Sequence, residues 1–313
     1  MLSGGMTLPS DTPSATAPPK RGARWVFVGP HGLRAGWGIL LFLLLLGAAQ
    51  FAIVMALSAM GLSSDDLHAD PQSALGTITV LAPGVAAVIL ATLGIALIER
   101  RPGRDYGLGL KGFWVRFGLG LAVGVGLLAL LVGALAALGA LKFDAGMLQG
   151  GEAWRQGALW AVACLMIGLV EELVMRGYLL AKLTRSIGFR WAAIITSLLF
   201  AAAHLTNTGE SIVGLVSVLL VGLVLAYSVA RTGSLWWAVG FHGAWNWGQS
   251  YLFGVGDSGF QSKGTLLTSH PAGPAWLSGG TTGPEGSVLV ILVLALAGVI
   301  VWRLPASPEA SQD

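Results

Sequence analysis

The chain of 313 residues is 55% hydrophobic and only 11% charged, with a formal net charge of +3. Soluble domains average about 25% charged residues, so this composition excludes an ordinary soluble fold. Basic residues sit beside apolar segments, not in runs interleaved with aromatics, so they carry a topological signal and no nucleic-acid signal. The single cysteine, Cys164, lies inside an apolar run. It excludes an internal disulfide framework and a multi-cysteine metal site, and reads as packing.

In chain order, the polar residues up to 33, rich in Pro, Ser and Thr at their start, predict a disordered cytoplasmic tail. Apolar runs follow at roughly 37–60, 76–98, 113–140, 157–180, 191–206, 211–230, 234–253 and 286–303. The first is longer than a signal-peptide core of about 7–15 residues and predicts a retained helix. A hydrocarbon core about 30 Å thick is crossed by roughly 20 apolar residues in a helix. Only helices and closed barrels satisfy their backbones in lipid, and runs that are continuous and not alternating exclude a barrel. The expectation is an all-α, polytopic transmembrane helix bundle of about eight spans over residues 34–304, followed by a short tail, 305–313.

Charge in the loops orients the bundle. With a cytoplasmic N-terminus, outer loops hold only Lys142, Arg155 and Lys263 of the 18 basic residues. The remaining fifteen fall inside, which predicts eight spans with both termini cytoplasmic. The 61–75 loop, with Asp65, Asp66 and Asp70 and no basic residue, fits the outer side, as does the long Gly-, Ser-, Thr- and Pro-rich loop at 254–285. In the third run, Gly118, Gly120, Gly124 and Gly133 lack the strand–turn–helix context of a dinucleotide site. Small residues spaced in this way let helices approach closely.

Ionisable residues inside a membrane are costly, so each is a functional candidate. The fourth run contains Glu171, Glu172 and Arg176, the fifth Phe200 and His204, and the seventh His242 and Asn246. Glu172 and Arg176 are four apart and pair on one helix face. Glu171 lies about 100° round from Glu172 and about 140° from Arg176, which leaves it as the free carboxylate. His242 and Asn246 share a face. Depths counted at about 1.5 Å per residue put Glu171 about 15 Å, His242 about 12 Å and His204 about 20 Å into the membrane. A carboxylate with two imidazoles can hold and activate water. An amide or second imidazole can donate to an oxyanion. Glu171, His204 and His242 are also a candidate zinc set with an open position for water. This chemistry points to hydrolysis of a carbonyl substrate at membrane depth.

These residues, Glu171-Glu172-xxx-Arg176, Phe200-xxx-His204 and His242-xxx-Asn246, resemble in order and spacing the EExxxR, FxxxH and HxxxN motifs of the CPBP family, the CAAX prenyl endopeptidase and bacteriocin-processing (Abi) proteins. The resemblance implies a CPBP-like core at about 155–303 and a glutamate-dependent intramembrane endopeptidase, usually discussed as a metalloprotease. Glu171 would activate water and His204 would share its binding or the proton transfer. His242 and Asn246 would stabilise the oxyanion, and Glu172 and Arg176 would support them. It further implies zinc as a cofactor, a membrane-associated peptide or protein substrate, and location in a bacterial inner membrane. The segment from Gly273 to Gly286 also resembles bacterial members.

Other intramembrane proteases fit less well. HExxH is absent; Gly254 to Asp257 spells GxGD without a second Asp in a span; Gly256 to Gly259 spells GxSG without a partner histidine in a later span, and reads as a turn. Two alternatives stay open: a non-catalytic immunity or regulatory protein of the same fold, and a proton-coupled transporter.

Overall fold

A computed structural model describes residues 24–30, 32–62 and 70–307. Most of the predicted N-terminal tail, Asp65 and Asp66, and the chain after residue 307 lie outside the described residues.

Among the described residues, eight principal helices stand at the eight predicted apolar runs: α1 (Ala35–Ala59), α2 (Ala74–Glu99), α3 (Phe113–Ala137), α4 (Gly150–Ile187), α5 (Phe189–Ala203), α6 (Ile212–Thr232), α7 (Trp236–Trp247) and α8 (Leu289–Arg303). The first six are, by length and composition, able to cross a membrane. Their outward faces are apolar, with Leu44, Phe51, Leu97 and Trp114 exposed, as lipid-facing surface requires. The fold is therefore an all-α helical bundle. Strand pairing among the described residues is confined to short pieces, β1 (Val28–Gly29) with β2 (Gly32–Leu33) and β3 (Leu141–Phe143) with β4 (Ser269–Pro271), both antiparallel.

Local chemistry sets the helix ends. The Ser73 and Ser211 hydroxyls accept from the amides of Gly76 and Gly214, capping α2 and α6. Gly233, at φ 63°, takes the left-handed conformation that closes α6. Pro83 is carried within α2. Two helices change winding. In α4, residues Leu173–Leu179 form a π-helical stretch immediately after the two glutamates, and α7 runs on into a π-helix at Gly248–Phe253. Such insertions recur at functional sites because they re-aim side chains.

α7 is central. It packs against α3 through Trp237, Phe241 and Trp245, with Leu128, Leu131 and Leu225 buried alongside. The α3–α7 approach depends on glycine. A Cβ on Gly120 would strike the Trp237 carbonyl, one on Gly124 the Phe241 carbonyl, and one on Gly240 the Phe117 carbonyl. Gly118 and Gly133, by contrast, face open space, so only half of the predicted small-residue set is interfacial. Gly124→Ala is expected to cost about 1–3 kcal/mol through forced backbone separation, whereas Gly133→Ala should be neutral or stabilising. Thermal unfolding of the two variants in detergent checks this.

A second buried polar knot locks α4 to α2. The Glu99 carboxylate, just beyond the predicted apolar run, takes the Lys182 ammonium and accepts from the hydroxyls of Tyr106 and Tyr178 at 3.1 Å each. Glu99 and Lys182 are each only 5% exposed. This fixes the turn of α4 that follows Arg176.

Candidate active site

Three helices supply the site. α4 brings Glu171, Glu172 and Arg176, α5 ends in Phe200 and His204, and α7 carries His242 and Asn246. The α4–α7 crossing is close because Gly168 lies against the backbone of Gly243 and Gly243 against Leu165. A side chain at either glycine would push His242 away from the glutamates.

At the centre, one oxygen of Glu172 takes two partners, Arg176 Nη1 at 3.0 Å and His242 Nδ1 at 3.0 Å. Both members of the Glu172–Arg176 pair are 0% exposed. An ionised carboxylate only accepts, so Nδ1–H of His242 donates to it and Nε2 is left facing the other way. There it meets Glu171 Oε2 at 3.5 Å. That is long for a direct hydrogen bond, and a water at the apex of the pair would bond to both. Glu171 Oε2 has no hydrogen-bond partner among the described residues, and its side chain is 33% exposed, against 11% for His242. The spacing argument from sequence thus holds geometrically: Glu172 is engaged by Arg176, and Glu171 is the carboxylate left over.

Phe200 joins the two halves. Its ring lies 4.8 Å from that of His204 and 6.0 Å from that of His242, both edge-on. The Arg176 guanidinium covers it at 4.3 Å from the ring centre, a cation–π contact in a dry setting. His204 caps the end of α5 and holds the Phe200 carbonyl through Nδ1 at 2.8 Å. Asn246, buried one turn along α7 from His242, makes no side-chain hydrogen bond among the described residues.

The zinc set inferred from residue types can be compared with this geometry. Among the described residues, no group of three or more His, Cys, Asp and Glu side chains is placed to hold a metal ion. Glu171 and His242 face each other, and His204, whose Nδ1 is held by the Phe200 carbonyl, is not grouped with them closely enough to share one ion. The donors as arranged do not fit a three-ligand site, and the chemistry below is derived from the protein's own groups.

Sequence reasoning passed over three acids near the site. The Gly256–Gly259 stretch is a turn, bridged between Asp257 and Phe260, but its Asp257 lies close enough to Glu171 and His242 to feel their charges. Burial first, then the neighbouring Glu285 carboxylate, push the Asp257 carboxyl up from the usual range, and Ser250 Oγ donates to it at 3.2 Å. Glu285 accepts from Trp245 Nε1 at 2.8 Å and from the Ser258 hydroxyl at 2.7 Å, which ties the long loop to α7. Glu210, just before α6, is also raised by burial and feels His204. The Thr281 and Thr282 hydroxyls donate to the Gly209 carbonyl at 2.9 and 3.0 Å. The 254–288 segment is therefore clamped over the His204 end of the site. In sequence Asp257 showed as the last letter of GxGD, and with Glu285 as one of two acids in a segment whose one basic residue is Lys263.

No curated protein matches the chain. Residues 153–248 match the family described as Rce1-like, Type II CAAX prenyl endopeptidase Rce1-like. That span includes all three motifs and every side chain of the Glu171–His242 constellation. Together with the long apolar helices, the match supports an integral membrane protein of the CAAX-type intramembrane protease kind. The motif-bearing segment, residues 153–248, is thus similar to the Rce1-like proteins, which supports the resemblance to the CPBP family.

Proposed function

We propose that the protein is a glutamate-dependent intramembrane endopeptidase that hydrolyses a peptide bond in a membrane-associated protein or peptide. The observation that carries this reading is Glu171, unpartnered and partly open, facing the Nε2 of an imidazole whose Nδ1 is fixed by a buried Glu172–Arg176 pair. The pattern parallels other hydrolases in which a carboxylate orients a histidine.

Glu171 and His242 hold a water between them. As the water oxygen attacks the scissile carbonyl carbon, its proton passes to Glu171. The carbonyl oxygen becomes an oxyanion, to which the Asn246 amide donates. When the C–N bond breaks, the departing amine takes a proton from the Glu171–His242 pair or from His204, leaving a new carboxylate and amine. Glu172 and Arg176 act through His242 as positioning residues. We place both termini in the cytoplasm on the distribution of basic residues in the loops, and the protein in a bacterial inner membrane on its resemblance to bacterial CPBP members.

The test is purified full-length protein in detergent, offered prenylated and unprenylated tethered peptides, with products read by mass spectrometry. Cleavage above a protein-free control is expected, and it should survive a chelator. No cleavage of any peptide would overturn the protease reading. Loss with chelator that zinc restores would instead show the donors regrouping around an ion.

A further inference from the structure

The Glu171–His242 site is closed on one side of the membrane and open on the other. Toward the arginine-bearing helix ends, which the loop charges place in the cytoplasm, it rests on a dry plug. Glu172, Arg176 and Phe200 are no more than 3% exposed, and Tyr178, Leu180, Thr196 and Ser197 beyond them are buried as well. A cavity of about 540 Å³ on that side ends against Arg176, and none of Glu171, His204 and His242 lines it. The other side differs. α5 has 15 residues, which span about 22 Å by the helical rise, so it stops short of crossing a hydrocarbon core about 30 Å thick. The chain leaves the α-helix at His204, and residues 205–209 are exposed throughout, Thr206, Asn207 and Thr208 among them. Non-helical backbone at membrane depth persists only where protein buries it or water reaches it. Protein does not bury this turn, so water reaches it. Ala202 and Ala203 beside it are exposed, and the Glu171 side chain is 33% exposed. Acids from the same side come down to the site: Asp257 bears electrostatically on Glu171 and His242, and Glu210 on His204.

We infer that the site is entered from the extracytoplasmic side, through water at the outer end of α5, and that its substrate is a peptide segment already carried across the membrane. The substrate half of this rests on the endopeptidase reading; the side of entry does not. A cytoplasmic protein held at the inner leaflet would meet the buried Glu172–Arg176–Phe200 plug before it met Glu171. A translocated segment meets His204 and Glu171 first, and the same opening admits the attacking water. The step that supplies the substrate is therefore export across the bilayer, and cleavage follows it.

The experiment uses the full chain in right-side-out and inside-out membrane vesicles, probed with a charged, membrane-impermeant thiol reagent. Wild type is the blank, because its one cysteine, Cys164, is 0% exposed. Glu171→Cys reports on the site, and Asn207→Cys, on the exposed turn, reports on its mouth. Arg104→Cys, exposed at an inner helix end, reports on the opposite side. Glu171→Cys and Asn207→Cys are expected to be modified in right-side-out vesicles and protected in inside-out ones, with Arg104→Cys the reverse. In parallel, wild type is offered external peptide in both preparations, and cleavage is expected only in right-side-out vesicles. Modification of Glu171→Cys and Asn207→Cys from the inner face only, or from neither face, overturns the inference, as does cleavage confined to inside-out vesicles. Outward labelling with no cleavage in either preparation supports the side of entry and counts against the endopeptidase reading, since labelling needs no turnover.

Discussion

Glu172→Ala is expected to destabilise the protein by about 3–5 kcal/mol, because it leaves a buried charge without its counter-ion. Arg176 is fully buried, and no other acceptor is bonded to its guanidinium among the described residues. The variant also frees His242 Nδ1, so cleavage should fall with stability. Thermal unfolding in detergent reads the first effect. The double change Glu172→Leu with Arg176→Met removes both charges and should recover part of the loss, since a buried pair and a well-packed apolar pair are often comparable. A loss under about 1 kcal/mol for Glu172→Ala would mean that the guanidinium finds water, and that the pair does not organise the site.

His242→Phe should separate rate from stability. The ring keeps its volume between Phe200 and α4, while both nitrogens vanish. The lost bond to Glu172 costs about 1 kcal/mol, since Arg176 still holds that carboxylate. Cleavage, by contrast, should fall about 10²–10⁴-fold, the range for removing a positioned acid–base group. Rates are compared at matched folded fractions. A variant that keeps near-wild-type cleavage would remove His242 from the mechanism.

How far the sequence reaches can be judged element by element. Continuous apolar runs are a direct consequence of burial in lipid, so all eight principal helices were legible. Their ends were not. α4 extends from Gly150 to Ile187, beyond the 157–180 run, because Arg155 and Lys182 sit on helical turns that no longer read as apolar. Glu99 was set just outside its run, yet tertiary packing buries it with Lys182. Within the site, the pairing of Glu172 with Arg176 followed from four-residue spacing, since both sit on one helix. Contacts between helices did not follow in this way. Phe200 was read as a neighbour of His204 alone, whereas packing also sets it against Arg176 and His242. Residue types suggested Glu171, His204 and His242 as a metal set, but type does not fix how near side chains on three helices stand, and among the described residues they are not grouped around one point. The place of Asp257 and Glu285 depends on hydroxyl and indole contacts made across the fold, which spacing cannot encode.

The central claim is that Glu171 acts on the substrate's water while Glu172 holds the architecture. It is tested most directly by measuring cleavage rate and thermal stability of Glu171→Gln beside wild type, on the same tethered peptide. Glu171 Oε2 has no hydrogen-bond partner to lose among the described residues, so the unfolding temperature should stay close to wild type while the rate drops about 10³-fold or more. Cleavage at the wild-type rate, or a rate that falls only in step with unfolding, would contradict the account.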